Sequence, residues 1–225
     1  MRGQPADRLP VGSVRFGDLR RSSPISRQFG FDRGTPIDRY YIEDFLEQNA
    51  GDIRGRVLEI GDNHYTQKFG GARVEQSDIL SVEATNPKAT LVGDLTRCST
   101  LPESTFDCII LTQTLQYIFE IRAAIATLFQ ALKSGGTLLI TVPSAGSQID
   151  GGAWGATWYW WFTSPAIQRL LEESFDPDAV SVKTYGNIFA ATAFRFGIAL
   201  EEVKLSELNA SDEDFPVIVA ARAIK

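Results

Sequence analysis

The sequence predicts an α/β fold built on a doubly wound parallel sheet, and three observations carry that expectation. Short apolar runs alternate with helical patterns along most of the chain. The run Phe106-Asp107-Cys108-Ile109-Ile110-Leu111 is almost wholly apolar, as a central strand covered on both faces must be. The run Val57-Leu58-Glu59-Ile60-Gly61-Asp62 ends in an acidic residue, an apolar residue and a glycine. That is the pattern of a first buried strand turning into a nucleotide-binding loop, at the edge where open α/β sheets place their ligands.

Taken in order, Met1–Gly34 mixes Arg, Ser, Gly and Pro without a period and reads as a basic tail or loosely docked arm. Thr35-Pro36-Ile37-Asp38 starts a helix, with Thr as N-cap, Pro at the first helical position and Asp in the first turn. Ile37, Tyr41 and Phe45 follow at helical spacing, and Gly51 stops the run. This helix directly precedes the first strand and can lie across the mouth of the sheet, where Tyr40 and Arg39 can face a ligand. After the first strand, His64 to Phe69 leaves room for only a short helix. A second strand spans Arg73 to Ser77 and ends at Asp78. Gly61 and Asp78 stand near the roughly 20-residue spacing at which a carboxylate accepts two hydrogen bonds from a ribose diol. Glu83 takes that place if the strand runs further.

Ala89–Gly93 reads as a third strand with Asp94 and Leu95 at its carboxyl end, and Phe106–Leu111 as the fourth, running into Thr112 and Gln113. Ile121, Ala124, Ile125, Leu128 and Leu132 mark one helix face, closed by Ser134-Gly135-Gly136 before the strand Thr137–Val142. Residues 144–163 form an aromatic loop, with Trp154, Trp158, Tyr159, Trp160, Trp161 and Phe162 crowded together. A helix from Ser164 to Leu171, a strand Ala179–Tyr185, an apolar helix Asn187–Val203 and a terminal strand Pro216–Ile224 complete the chain.

Bulk properties narrow the function. A chain of 225 residues makes one sizeable core. The net charge of −6 argues against broad nucleic-acid binding, although Met1–Gly34 holds seven Arg against three Asp. No apolar run reaches the roughly 18 residues of a membrane span, and no basic apolar leader opens the chain. Cys98 and Cys108 make no disulfide framework, so a reduced, cytoplasmic compartment is expected. No metal-ligand spacing appears.

In this order the motifs resemble those of class I S-adenosylmethionine-dependent methyltransferases, from Arg54 to the carboxyl end. Glu59-Ile60-Gly61 is similar to the family's acidic-x-Gly opening, Asp78 to the acidic end of its second strand, and Gly93-Asp94-Leu95 to its adenine-bracketing loop. Phe106 to Leu115 resembles the strand and loop that follow. Leu132-Lys133-Ser134-Gly135-Gly136 is similar to the Leu-Lys-Pro-Gly-Gly turn before the fifth strand. The resemblance implies a Rossmann-like seven-stranded sheet, six strands parallel and the last antiparallel, with S-adenosyl-L-methionine as cofactor. It places Glu59, Gly61, Asp62 and Tyr65 near the methionine portion, Asp78 on the ribose, Asp94 and Leu95 on the adenine, and Thr112 or Gln113 opposite. Two positions depart: Asn63 and Tyr65 stand where the family has further glycines, so the loop carries side chains toward the methionine end.

A narrower resemblance rests on Pro36-Ile37-Asp38-Arg39-Tyr40-Tyr41, Tyr65-Thr66 to Phe69-Gly70-Gly71, Thr112 to Leu115, Trp160 to Thr163 and Tyr185-Gly186-Asn187. These look like bacterial methyltransferases found with, or fused to, glycosyltransferases. That implies a glycan or other sugar-containing small-molecule substrate and association with a glycosyltransferase. Trp161 stands where that group tends to have Arg.

Methyl transfer to oxygen needs in-line positioning and gains from removal of the acceptor's proton. His64, the sole histidine, is the candidate base; Tyr65, Tyr159 and Asp150 are its rivals. The aromatic loop reads as a substrate wall led by Trp158, Tyr159 and Trp160. Two alternatives stand beside this. One is an NAD-dependent oxidoreductase, disfavoured by the missing Gly-x-Gly-x-x-Gly fingerprint. The other is a non-catalytic member that binds partners through the aromatic loop.

Overall fold

The computed structural model describes residues 9–97, 99–152 and 154–225. Seven strands form one sheet: β1 (Gly55–Ile60), β2 (Val74–Ser81), β3 (Leu91–Val92), β4 (Phe106–Thr112), β5 (Leu132–Pro143), β6 (Val180–Tyr185) and β7 (Ile218–Ile224). Their order is β3-β2-β1-β4-β5-β7-β6. The first five pair in parallel, and β7 inserts antiparallel between β5 and β6. This is the expected sheet, with the last strand alone reversed.

Helices α1 (Ile37–Gln48), α2 (Ile121–Ala131), α3 (Ser164–Leu171), α4 (Ile188–Phe196) and the short α5 (Leu205–Leu208) cover the two faces. The period-two pattern of the strands decides which helix each residue meets. In β4, Ile109 and Leu111 pack with Ile125 and Leu128 of α2 and Ile167 of α3. Cys108 and Ile110 point the other way, into Ile42, Phe45 and Leu46 of α1 and Phe194 of α4. Burial of each such aliphatic side chain contributes roughly 1.5–3 kcal/mol, so the doubly covered centre anchors the loops beyond it. The chain leaves β1 toward β2 on one side, while β4 lies on the other. The carboxyl edge between β1 and β4 is therefore the switch point where such sheets hold ligands.

Several boundaries differ from the sequence expectation. Pro36 stands before α1 rather than inside it, with extended backbone bridged to Ala199, and the Thr35 hydroxyl donates to Glu201 instead of capping the helix. β2 continues past Asp78 to Ser81. Asp78 does not end the strand because Arg56 on neighbouring β1 (2.7 Å) and Thr90 (2.9 Å) satisfy its carboxylate within the sheet. Gly135 and Gly136 lie inside β5, where the register shifts opposite the start of β4 and Gly135 has a positive φ of 76°. α4 ends at Phe196 rather than Val203, because Gly197 turns left-handed.

That turn also receives the arm. The backbone N–H groups of Ile25 and Ser26 both donate to the Phe196 carbonyl, at 2.8 and 3.1 Å. A Cβ on Gly197 would lie 2.5 Å from the Ser26 carbonyl oxygen, so only glycine permits the approach. Phe29 stacks on Trp158 (6.2 Å between ring centroids) and Arg33 pairs with Glu202. From about residue 24 onward the expected tail is a docked strap; its first eight residues, like Cys98, lie outside the described residues. Among the described residues no helix is long and apolar enough to cross a membrane.

Candidate active site

Three cavities open at the carboxyl edge of the sheet, and Gln113 lines all three. One, of about 470 Å³, lies over the ends of β1, β2 and β3, between Gly61, Ser81, Val82, Asp94, Leu95 and Tyr159. A second, of about 570 Å³, lies between the loop after β1 and the start of α1, lined by Glu59, Asp62, His64, Tyr65, Arg39 and Thr112. The third, of about 710 Å³, is closed by α1, the aromatic loop and the strap: Asp38 and Arg39, Gln116 and Tyr117, Asp150, Trp158, Arg27 and Phe29.

Local chemistry explains why these loops hold their shape. Glu59 is buried at the end of β1, and its carboxylate accepts from the backbone N–H groups of Tyr65 (3.2 Å) and Thr66 (2.7 Å) and from the Thr66 hydroxyl (2.7 Å). It thereby ties the turn of Thr66–Gly70 back onto the strand. Burial pushes its carboxyl up to about 7, against the lowering pull of the Thr66 and Tyr65 donors. Gly61 has φ +83° with open space where a Cβ would stand, its N–H donates to Leu80 and its carbonyl accepts from Asn86. Asp94 accepts from the N–H and hydroxyl of Thr96, and those bonds hold its carboxyl below the usual range. Gln113 has a positive φ of 46°, uncommon for a residue with a side chain, and its N–H is pinned by Thr141 O at 2.8 Å.

The third cavity differs in character. Asp38 Oδ1, Gln113 Nε2, Gln116 Oε1 and Trp158 Nε1 are all buried, and none has a hydrogen-bond partner among the described residues. All four residues line this one cavity. An unpaired buried polar atom costs about 1–3 kcal/mol, so four at one cavity mark a place that water or a polar ligand completes.

A family model described as a methyltransferase domain matches residues 23–175. The chain belongs to that family. Curated protein sequences give no match. Among solved structures, this methyltransferase is similar to an S-adenosylmethionine-dependent methyltransferase from Archaeoglobus fulgidus, at 12% identity and TM-score 0.55, over 83% of this chain and 94% of that one. It is also similar to phosphoethanolamine N-methyltransferase 2 of Haemonchus contortus in complex with S-adenosyl-L-methionine (16% identity, TM-score 0.53, 89% of this chain, 60% of that one). A third is the CurJ carbon methyltransferase (12% identity, TM-score 0.55, 87% and 57%). At such identities the likeness shows the fold: that of the S-adenosylmethionine-dependent methyltransferases.

In the methyltransferase, the expected site residues divide into three groups. Glu59, Gly61, Asp62, His64, Tyr65, Asp94, Leu95, Thr112 and Gln113 stand at the first two cavities, and Trp158 and Tyr159 stand at the third and first. His64 is exposed and edge-on to Tyr65, on the side of the second cavity. Asn63 turns away and donates to Ser77, whereas Tyr65 Oη accepts from Arg39 at 2.8 Å. Asp150 lines the third cavity, but its Oδ1 accepts the Gly152 N–H and shapes that turn.

Three expected residues are not brought to the site. Asp78 is buried inside the sheet and its carboxylate is taken by Arg56 and Thr90. Tyr40 leaves on another side of α1, where its ring meets Tyr41 edge-on and its hydroxyl donates to Asn209. Trp160 donates its indole N–H to the Ile118 carbonyl (3.0 Å), stacks on Phe119 and packs against the core. Sequence reasoning missed Asp38 as a site residue, together with Gln116, Tyr117 and Phe29. Asp38 reads in sequence as an ordinary helix-start acid, and only its burial sets it apart.

Proposed function

We propose that this methyltransferase moves a methyl group from S-adenosyl-L-methionine to an oxygen of a sugar-containing or other small polar acceptor, in the cytoplasm and in association with a glycosyltransferase. The observation that carries the reading is the meeting of three cavities at Gln113. Two are walled by the loops after β1 and β3 and by the end of β4, and the third has unpaired donors and acceptors. The residues present fit the cofactor: an open glycine turn at Gly61 and, along the same cavity, Asp94 and Leu95 at the end of β3.

On this reading Asp62, His64 and Tyr65 border the methionine portion, Asp94 and Leu95 the adenine, and Thr112 and Gln113 the junction with the acceptor. The ribose position passes from Asp78 to Glu83, which follows the true end of β2 and whose backbone N–H is held by Ser81 Oγ (3.2 Å). When bound, the cofactor supplies an electrophilic methyl on a positively charged sulfur. The chain's task is to orient the acceptor oxygen toward it and exclude water. The strap contributes to that exclusion, since Phe29 closes the third cavity against Trp158.

Calorimetry tests the reading. S-adenosylmethionine binds and NAD does not, and Glu83→Ala weakens the affinity about tenfold, as loss of a hydrogen bond to a charged group of roughly 1.5 kcal/mol implies. Binding of NAD alone would sink the assignment, and binding of neither would favour a partner-binding module.

A further inference from the structure

We infer that Asp38 is the catalytic base of this enzyme: its carboxylate takes the proton from an acceptor hydroxyl held in the 710 Å³ cavity between α1, the aromatic loop and the strap. The inference rests on the methyltransferase reading and adds to it the acceptor chemistry and the residue that activates it.

Asp38 is 9% exposed, on the first turn of α1, and its Oδ1 has no hydrogen-bond partner among the described residues. Nothing structural employs that atom. The Thr35–Pro36 segment before it is fastened by Glu201 and Ala199, not by Asp38. Its neighbour Arg39 sends its guanidinium to Tyr65 Oη at 2.8 Å and over the Phe31 ring. Around the same cavity, Gln116 Oε1 is a second unpaired acceptor, while Gln113 Nε2 and Trp158 Nε1 are unpaired donors. A ligand that donates to two of these groups and accepts from the other two is well matched by a hydroxyl-bearing one, since each hydroxyl does both. The rings of Trp158 and Tyr117, 5.3 Å apart and edge to face, offer it an apolar wall.

Among the charges at this cavity Arg39 acts most directly on Asp38, Arg27 and Asp150 also line the wall, and Tyr65 and Tyr117 are neutral at physiological pH. Burial raises the Asp38 carboxyl, and the Arg39 charge and the N–H groups of the first helical turn only partly offset it. A carboxylate raised in this way is a better proton acceptor than a solvated one. In the step, the acceptor O–H bond breaks and its proton goes to Asp38 as the oxygen bonds the methyl carbon and the carbon–sulfur bond breaks. Asp38 then returns the proton to solvent when the product leaves the cavity, so one proton is released per methyl transferred.

The test compares the wild-type chain with Asp38→Asn and Asp38→Glu. Calorimetry with S-adenosylmethionine gives the same affinity for all three; failure of the wild type to bind would overturn the function proposed above rather than the role of Asp38. S-adenosylhomocysteine release is then followed with the methyl glycosides of glucose, galactose, mannose, rhamnose and fucose as acceptors. Asp38→Asn lowers the rate by about 10²–10⁴-fold, and Asp38→Glu recovers part of it. A fall of less than tenfold, or cofactor binding without transfer to any of these hydroxyls in the wild type, overturns the inference. Thermal melting at pH 8 separates a structural role: Asp38→Asn melts at or above the wild type, because it removes a buried unpaired charge. A lower melting temperature would show that the carboxylate holds the fold.

Discussion

Two sets of acceptors at the site are treated in opposite ways. At the ends of β1 to β3, Glu59 accepts three hydrogen bonds, Asp78 is taken by Arg56 and Thr90, and Asp94 holds the Thr96 turn. Across Gln113, in the cavity under the strap, Asp38 Oδ1 and Gln116 Oε1 accept nothing from the described residues. Satisfied acids build the loops that shape a ligand site; unsatisfied ones wait for the ligand. An acid's position in a motif says nothing of which kind it is, because the difference lies in its partners.

Glu59 gives the largest break of that comparison. Glu59→Ala leaves two buried backbone N–H groups and a hydroxyl without an acceptor and costs about 3 kcal/mol of stability. Denaturant unfolding measures it, and an effect below 1 kcal/mol would place Glu59 among the ligand-facing acids. Its pH signature has a definite sign. The folded carboxyl stands at about 7 against 4.5 for the free group, so the folded state holds its proton more tightly. Stability from this group is therefore fully present below pH 4.5 and is lost as pH rises to about 7. Unfolding curves across that window slope downward for the wild type, and Glu59→Gln flattens them.

Asp78 comes next. Its pair with Arg56 is mostly buried on the carboxylate side and half-buried on the guanidinium side. Asp78→Ala therefore costs about 2 kcal/mol, while the affinity for S-adenosylmethionine changes less than it does in Glu83→Ala. The reverse ranking would return Asp78 to the ribose.

These two residues also show what was legible in the chain. The order of strands and helices could be read, because apolar runs such as Phe106–Leu111 carry their periodicity in every residue and burial depends on that pattern. The loop after β1 was legible for the same reason: a glycine that ends an apolar run has few other uses. The end of β2 was not. Asp78 looks like a strand terminator until Arg56 is seen beside it on the adjacent strand, and Val82-Glu83 gives no local sign of taking its place. The strap was hidden more deeply. In sequence Gly197 passes as an interior position of the apolar run Asn187–Val203, and only the close approach of Ser26 explains why the helix stops there. Asp38 and Trp158 could not be joined across so much sequence, and their unpaired atoms exist only in three dimensions.

Tyr40 provides the smallest effect and the control. Its neighbours Asp38 and Arg39 both face the cavity under the strap, but each further residue of a helix turns the side chain by about 100°, so Tyr40 points roughly opposite to Asp38. Tyr40 accordingly leaves the site, and its hydroxyl meets Asn209 at the exposed surface beyond α5. Tyr40→Phe removes that one hydrogen bond and keeps the edge-on packing against Tyr41. Stability changes by less than about 0.5 kcal/mol, as surface substitutions do, and both cofactor affinity and transfer rate stay at the wild-type value. A drop in transfer rate would mean that the acceptor reaches around α1 to a face the three cavities do not include, and the division of the site drawn from its unpaired atoms would have to be redrawn.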